Sequence, residues 1–170
     1  MNQMFYNATA FNQDIGAWDT ISVTNMNNMF SLAGSFNQPI WVWDTSSVTD
    51  MAYMFYAASS FNQPVGDWDT SAVTDMNNMF FDDTAFNADI SGWNTSNVTD
   101  MSSLFNGATS FNQDILDWDT SSVTTMKSMF QSATSFNPTT GISSWDVSNV
   151  TDMNSMFHGA SAYRGDEGTS

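Results

Sequence analysis

The sequence predicts an α/β solenoid: a right-handed coil carrying one short strand and one short helix in every 25-residue turn. Three observations predict it. The chain returns to one pattern, MxxMFxxAxxFNxxIxxWDTSxVTD, beginning at Met1, Met26, Met51, Met76, Met101, Met126 and Met153. The first third of each unit places apolar residues at helical intervals. The second half spaces them 0, 3, 5 and 8, as a short strand entering a bend would.

The repeat comes first, because a fixed period governs everything downstream. Five spacings are 25 residues and the sixth is 27, where NPTTGISSW (137 to 145) replaces forms such as NQDILDW (112 to 118). The units are 1–25, 26–50, 51–75, 76–100, 101–125 and 126–152, with a partial unit 153–163. They form one repeat domain, and residues 164–170 are a degenerate C-terminal tail. Met1 already occupies the first place of a unit, so the chain reads as cut or processed from something longer.

In the third unit Met51, Met54, Phe55 and Ala58 fall at i, i+3, i+4 and i+7, one face of a helix. Thr49 and Asp50 precede it and suit a helix N-terminus, where a side-chain oxygen caps free N–H groups and a carboxylate complements the dipole. Asp75, Asp100 and Asp152 stand at the same place. So short a helix is not stable alone, which makes neighbouring units its support.

Further on, Val65, Trp68, Thr70 and Val73 repeat the spacing at which leucine-rich repeats place a short strand. This makes the coil leucine-rich-repeat-like, with Trp68 and Thr70 inward and Asp67, Asp69 and Ser71 outward. Units then stack through strand pairing at about 4.7–4.9 Å.

Composition narrows the function. Eighteen acidic residues face only Lys127 and Arg164, for a net charge of −16. Phosphate binding needs clustered Lys and Arg, so nucleic acid and anionic lipid surfaces are excluded as partners, while cationic partners and divalent ions stay open. Fourteen Phe, seven Trp and thirteen Met supply the buriable surface that disordered chains lack. No apolar run approaches the roughly 20 residues a membrane span needs. There is no cysteine, hence no disulfide.

The MF…A..FN..I..WDTS.VT.M signature resembles that of the BspA-type leucine-rich-repeat surface proteins, in their Met/Phe/Trp-rich subclass, over Met1 to Tyr163. The resemblance implies a cell-surface or extracellular location and adhesion to protein partners. It brings no catalytic residues.

Several columns invite a functional reading. Trp18, Trp43, Trp68, Trp93, Trp118 and Trp145 could stack on sugars, but their alternation with Thr20 and Val23 favours the core; Trp41, outside the repeat, is the better exposed aromatic. The methionines at the first and fourth places lie on the apolar face and read as packing rather than as Cu(I) ligands. Asn12, Asn37, Asn62, Asn87, Asn112 and Asn137 follow the second Phe of each full unit and read as a structural amide ladder.

Asp19, Asp44, Asp69, Asp119 and Asp146 align, interrupted by Asn94, with Asp67 and Asp117 beside them. Unit charges about 5 Å apart repel by about 0.8 kcal/mol in water, so something offsets the repulsion. Local capping in the D-T-S turn is the preferred explanation. Calcium bridging adjacent rungs through Asp67, Asp69, Asp117 and Asp119 is the alternative; no other cofactor is indicated.

Arg164, Gly165 and Asp166 spell an integrin-type tripeptide, inside a degenerate repeat that makes chance the simpler origin. Sequons stand at Asn7, Asn94, Asn97 and Asn149. No departure from the repeat gathers a nucleophile, base or metal set, and His158 has no partner nucleophile, so no enzyme is expected. The expectation is a non-enzymatic surface module that binds a protein or glycan through an extended acidic face. The alternative is a structural segment that stacks end to end into an extracellular filament.

Overall fold

Backbone N–H groups in this chain are shared between the next repeat and tight local turns. In the computed structural model, which describes residues 1–139 and 141–165, Met26, Asn28, Phe30 and Leu32 donate to the carbonyls of Asp50, Ala52, Met54 and Tyr56 at 2.7–3.0 Å. Met51, Tyr53, Phe55 and Ala57 do the same toward Asp75, Asn77, Met79 and Phe81. The intervening N–H groups close back on their own coil, Met29 to Met26, Ser31 to Asn28 and Ala33 to Phe30. Each repeat is therefore a coil of overlapping four-residue turns laid on the next, and we number the coils 1 to 7 in repeat order.

This corrects the predicted α/β solenoid and its leucine-rich-repeat character. Among the described residues there is no helix, and the only ladder is a row of isolated parallel bridges, Asn25–Asp50–Asp75–Asp100–Thr125–Asp152. The predicted helix fails because its third and seventh residues are left-handed: Asn28 and Leu32 have φ of 55° and 63°, Tyr53 and Ala57 of 58° and 52°. A positive φ at the third residue of a turn closed by an i+3 N–H is the type II arrangement, and it turns that residue's N–H toward the neighbouring coil. A helix about 10–12 Å wide also fits poorly where Phe30, Phe55, Phe80 and Phe105 stack at centroid spacings of 5.6–5.8 Å. The predicted strand is likewise two turns, closed by Trp68 N–H on Val65 and Val73 N–H on Thr70.

The apolar columns nevertheless point inward. Met51, Met54, Phe55, Ala58, Phe61, Val65, Trp68 and Val73 are all buried. Within coils 1 to 6 two phenylalanines lie face to face, with ring centroids of Phe55 and Phe61 3.8 Å apart, and Phe157 pairs with Tyr163 in coil 7, so the interior holds two parallel stacks of aromatic rings. Polar groups in the core are used between coils. Thr45 Oγ1 donates to the carbonyl of Asp69 and Thr70 Oγ1 to that of Asn94, which permits Thr to sit buried.

The longer sixth repeat absorbs its extra length between Asn137 and Ile142. Trp145 N–H closes on Ile142 as Trp118 N–H closes on Ile115, and the indole of Trp145 still reaches the Ile115 carbonyl at 3.1 Å. No helix among the described residues is long and apolar enough to cross a membrane.

Candidate functional site: acidic columns and an open groove

The Asp directly after the buried Trp of a coil points outward by alternation. Asp44, Asp69, Asp119 and Asp146 are exposed. Each accepts the N–H two residues on: Ser46 to Asp44 at 3.0 Å, Ser71 to Asp69 at 2.9 Å, Ser121 to Asp119 at 3.0 Å and Ser148 to Asp146 at 2.9 Å. Asp19 receives Ile21 N–H, and Asn94 takes the same part with Ser96. Asp67 and Asp117 are exposed two residues earlier.

Those bonds favour the ionised form. The Ser46 hydroxyl and amide hold the Asp44 carboxyl below its ordinary value, and the Ser71 and Ser121 groups do the same for Asp69 and Asp119. For Asp146 the Ser148 amide is the larger cause. Opposing this weakly, Asp44 pushes Asp69 up and Asp119 pushes Asp146 up. The column is thus a line of carboxylates in which the local donors favour the ionised form at Asp44, Asp69, Asp119 and Asp146. Local N–H donors occupy each one. Among the described residues no three Asp, Glu, His or Cys side chains converge as a metal site would require, so the calcium candidates Asp67, Asp69, Asp117 and Asp119 are not brought together as ligands.

A second acidic column, Asp50, Asp75, Asp100 and Asp152, lies at the bridges. Its carboxylates cap turns where helix caps were expected, Asp75 accepting Asn77 N–H at 2.9 Å and Asp100 accepting Ser102 N–H at 2.8 Å. Burial outweighs those bonds at Asp75, pushing its carboxyl up, with Asp100 and Asp50 adding to the rise.

The tryptophans divide. Trp43, Trp68, Trp93, Trp118 and Trp145 are buried, each indole donating to the previous coil, whereas Trp18 in coil 1 is 38% exposed. Trp41 stands 42% exposed. The asparagines form a continuous ladder: Asn37 N–H donates to Asn12 Oδ1, Asn62 to Asn37, Asn87 to Asn62, Asn112 to Asn87 and Asn137 to Asn112, at 2.7–3.0 Å. Arg164 N–H continues it onto Asn137. Asp166, the last residue of the RGD tripeptide, lies outside the described residues.

Coil 4 departs from the pattern at two places that the sequence reading passed over. Asp83 replaces the small residue of the core: Ala33, Ala58, Ala108 and Ala133 hold that place in other coils and are buried. Asp83 has no exposed surface, and neither carboxyl oxygen has a hydrogen-bond partner of proper geometry. Burial pushes its carboxyl well above the ordinary range, against the smaller pull of the Ala85 and Phe86 amides.

The second departure is Ala88, where coils 2, 3 and 5 carry Gln38, Gln63 and Gln113. Beside it an open groove of about 510 Å³ crosses coils 3 and 4, lined by Asn62, Gly66, Asp67, Ala88, Asp89 and Gly92 among others. Gly66 permits the close approach of the coils here, since a Cβ there would lie 2.5 Å from the Asp89 carbonyl oxygen. Both departures were visible as breaks in two columns of the repeat.

A family model described as "Mycoplasma protein of unknown function, DUF285" matches residues 1–90 and 62–169. No curated protein and no solved structure matches the chain. The matched segments together cover the repeat array, and the chain belongs to this family.

Proposed function

We propose that the chain is a non-enzymatic surface module that captures a cationic protein partner through its outward acidic column, Asp19, Asp44, Asp69, Asp119 and Asp146, flanked by Asp67 and Asp117. The observation that carries this reading is the exposed line of carboxylates at Asp44, Asp69, Asp119 and Asp146, each held by the N–H two residues on. Serine donors at Asp44, Asp69 and Asp119 preorganise each carboxylate, so little side-chain freedom is lost on binding. The whole chain offers only two basic residues to neutralise them. Complementary charge accelerates encounter and selects partners by sign. The cell-surface or extracellular location belongs to the same proposal and rests on the resemblance to BspA-type surface proteins.

The test is binding of a fluorescent basic peptide to the parent chain and to the triple variant Asp44→Asn, Asp69→Asn, Asp119→Asn. Asn94 shows that an amide accepts the same Ser N–H, so the variant keeps its turns. Loss of binding with unchanged thermal stability supports the reading, and unchanged affinity overturns it.

A second reading, end-to-end assembly, has one observation in its favour. Met4 of coil 1 is exposed where Met29 and Met54 are fully buried. A second copy stacked on coil 1 would bury that apolar face. Molar mass by light scattering over a concentration series reads it: growth supports assembly and a constant monomer mass opposes it.

A further inference from the structure

In coils 3 and 5 the glutamine after the ladder asparagine clamps the coil before. Gln63 Nε2 donates to both the main-chain oxygen and Oδ1 of Asn37 at 2.8 Å, and Gln113 Nε2 to the same two atoms of Asn87 at 2.9 Å. Coil 4 has Ala88 instead, so the matching donor to Asn62 is missing. Asn62 Oδ1 keeps the Asn87 N–H, while its main-chain oxygen has no donor among the described residues. The removed side chain leaves the groove, and Asp67 and Asp89 line it too. Asp89 Oδ1 takes the Ser91 N–H at 3.0 Å, and the Ser91 donors hold its carboxyl low.

The groove thus presents a carbonyl oxygen, an amide oxygen and two carboxylates, and it lies where a planar NH₂ group sits in the neighbouring coils. We propose that it is a receptor slot for an arginine side chain of the partner. A guanidinium carries several N–H donors in one plane. Two of them replace the glutamine amide at Asn62, and the remainder meet Asp67 or Asp89 in charge-assisted bonds. An ammonium is compact and lacks that planar fork. The proposal deepens the cationic-partner reading and rests on it, naming the side chain and the place where the interaction is centred.

The experiment titrates the ¹⁵N-labelled chain with Nα-acetyl-arginine amide and, separately, with Nα-acetyl-lysine amide, and repeats both with Ala88→Gln. That variant restores the residue of the adjacent coils and changes no charge. The expected result is saturable shifts centred on Asn62, Asp67, Ala88 and Asp89 with the arginine compound. Ala88→Gln should weaken its binding about tenfold or more, as loss of charge-assisted hydrogen bonds does. Equal affinity in Ala88→Gln, equal binding of the lysine compound, or no saturable shift would overturn the slot. If basic peptide binding is abolished by the Asp44, Asp69 and Asp119 triple variant but untouched by Ala88→Gln, the acidic column stands and the slot falls.

Discussion

The indole N–H of Trp68 donates to the main-chain carbonyl of Ile40, one coil earlier, at 3.1 Å. The same bond recurs from Trp43 to Ile15 and from Trp93 to Val65, so each buried tryptophan both fills its own coil and ties it to the last. Trp68→Ala should therefore destabilise the fold by about 3–5 kcal/mol, with Trp68→Phe losing less because it retains most of the volume. Thermal and denaturant unfolding measure both, and a Trp68→Ala protein as stable as the parent would contradict this packing.

Asp83 occupies an alanine column and is buried without a proper partner, so Asp83→Ala should stabilise the chain by about 1–3 kcal/mol, the cost of an unsatisfied buried polar group. The pH dependence has a definite sign. Burial raises the carboxyl in the folded state, so the folded chain holds its proton after the unfolded chain has released it. Stability falls as pH rises from the ordinary carboxylate range, about 4, through the raised value. Asp75, also pushed up by burial, acts in the same direction. Asp83→Ala should flatten that decline, as urea unfolding at stepped pH would show; an unaltered profile would count against it.

The left-handed seventh residue is glycine in coils 5 and 7, Gly107 and Gly159, and alanine in coil 3, where Ala57 has φ 52°. An L-residue held in that region pays a steric cost that glycine avoids, partly offset by glycine's greater freedom when unfolded. Ala57→Gly should thus be neutral or stabilising by up to about 1 kcal/mol, whereas the same change in a helix would destabilise. The sign of the shift in unfolding midpoint separates the turn-built coil from a helical one.

Asn112 Oδ1 receives the Asn137 N–H at 2.7 Å. Asn112→Ala should cost about 0.5–1.5 kcal/mol and speed hydrogen exchange at the Asn137 amide. Exchange unchanged at Asn137 would show that the ladder does not protect it.

Which residues face inward was legible in the sequence, because burial follows apolar spacing whatever the backbone does. Met51, Met54, Phe55 and Ala58 satisfy a helix, and they equally satisfy turns closed every three residues. The residues that decide between them are the third and seventh, and their identities are mixed: Asn28, Asn78, Gly107 and Gly159 favour a positive φ, while Leu32, Tyr53 and Ala57 conceal it. The outward placement of Asp44, Asp69 and Asp119 followed from alternation around the buried tryptophan. Asp75 and Asp100 were legible as caps, though of turns instead of helices. The groove was not read, because a missing side chain at Ala88 matters only once Gln63 and Gln113 are seen clamping the asparagines behind them.

The most direct test of the central claim is the affinity of the parent chain for a basic peptide, measured by fluorescence anisotropy from low to high salt at pH 7. Ionised, exposed carboxylates bind through charges that salt screens. The predicted result is an affinity that falls steadily as salt rises, with a shallower slope in the Asp44, Asp69 and Asp119 to Asn variant. An affinity indifferent to both salt and the three substitutions would contradict the account.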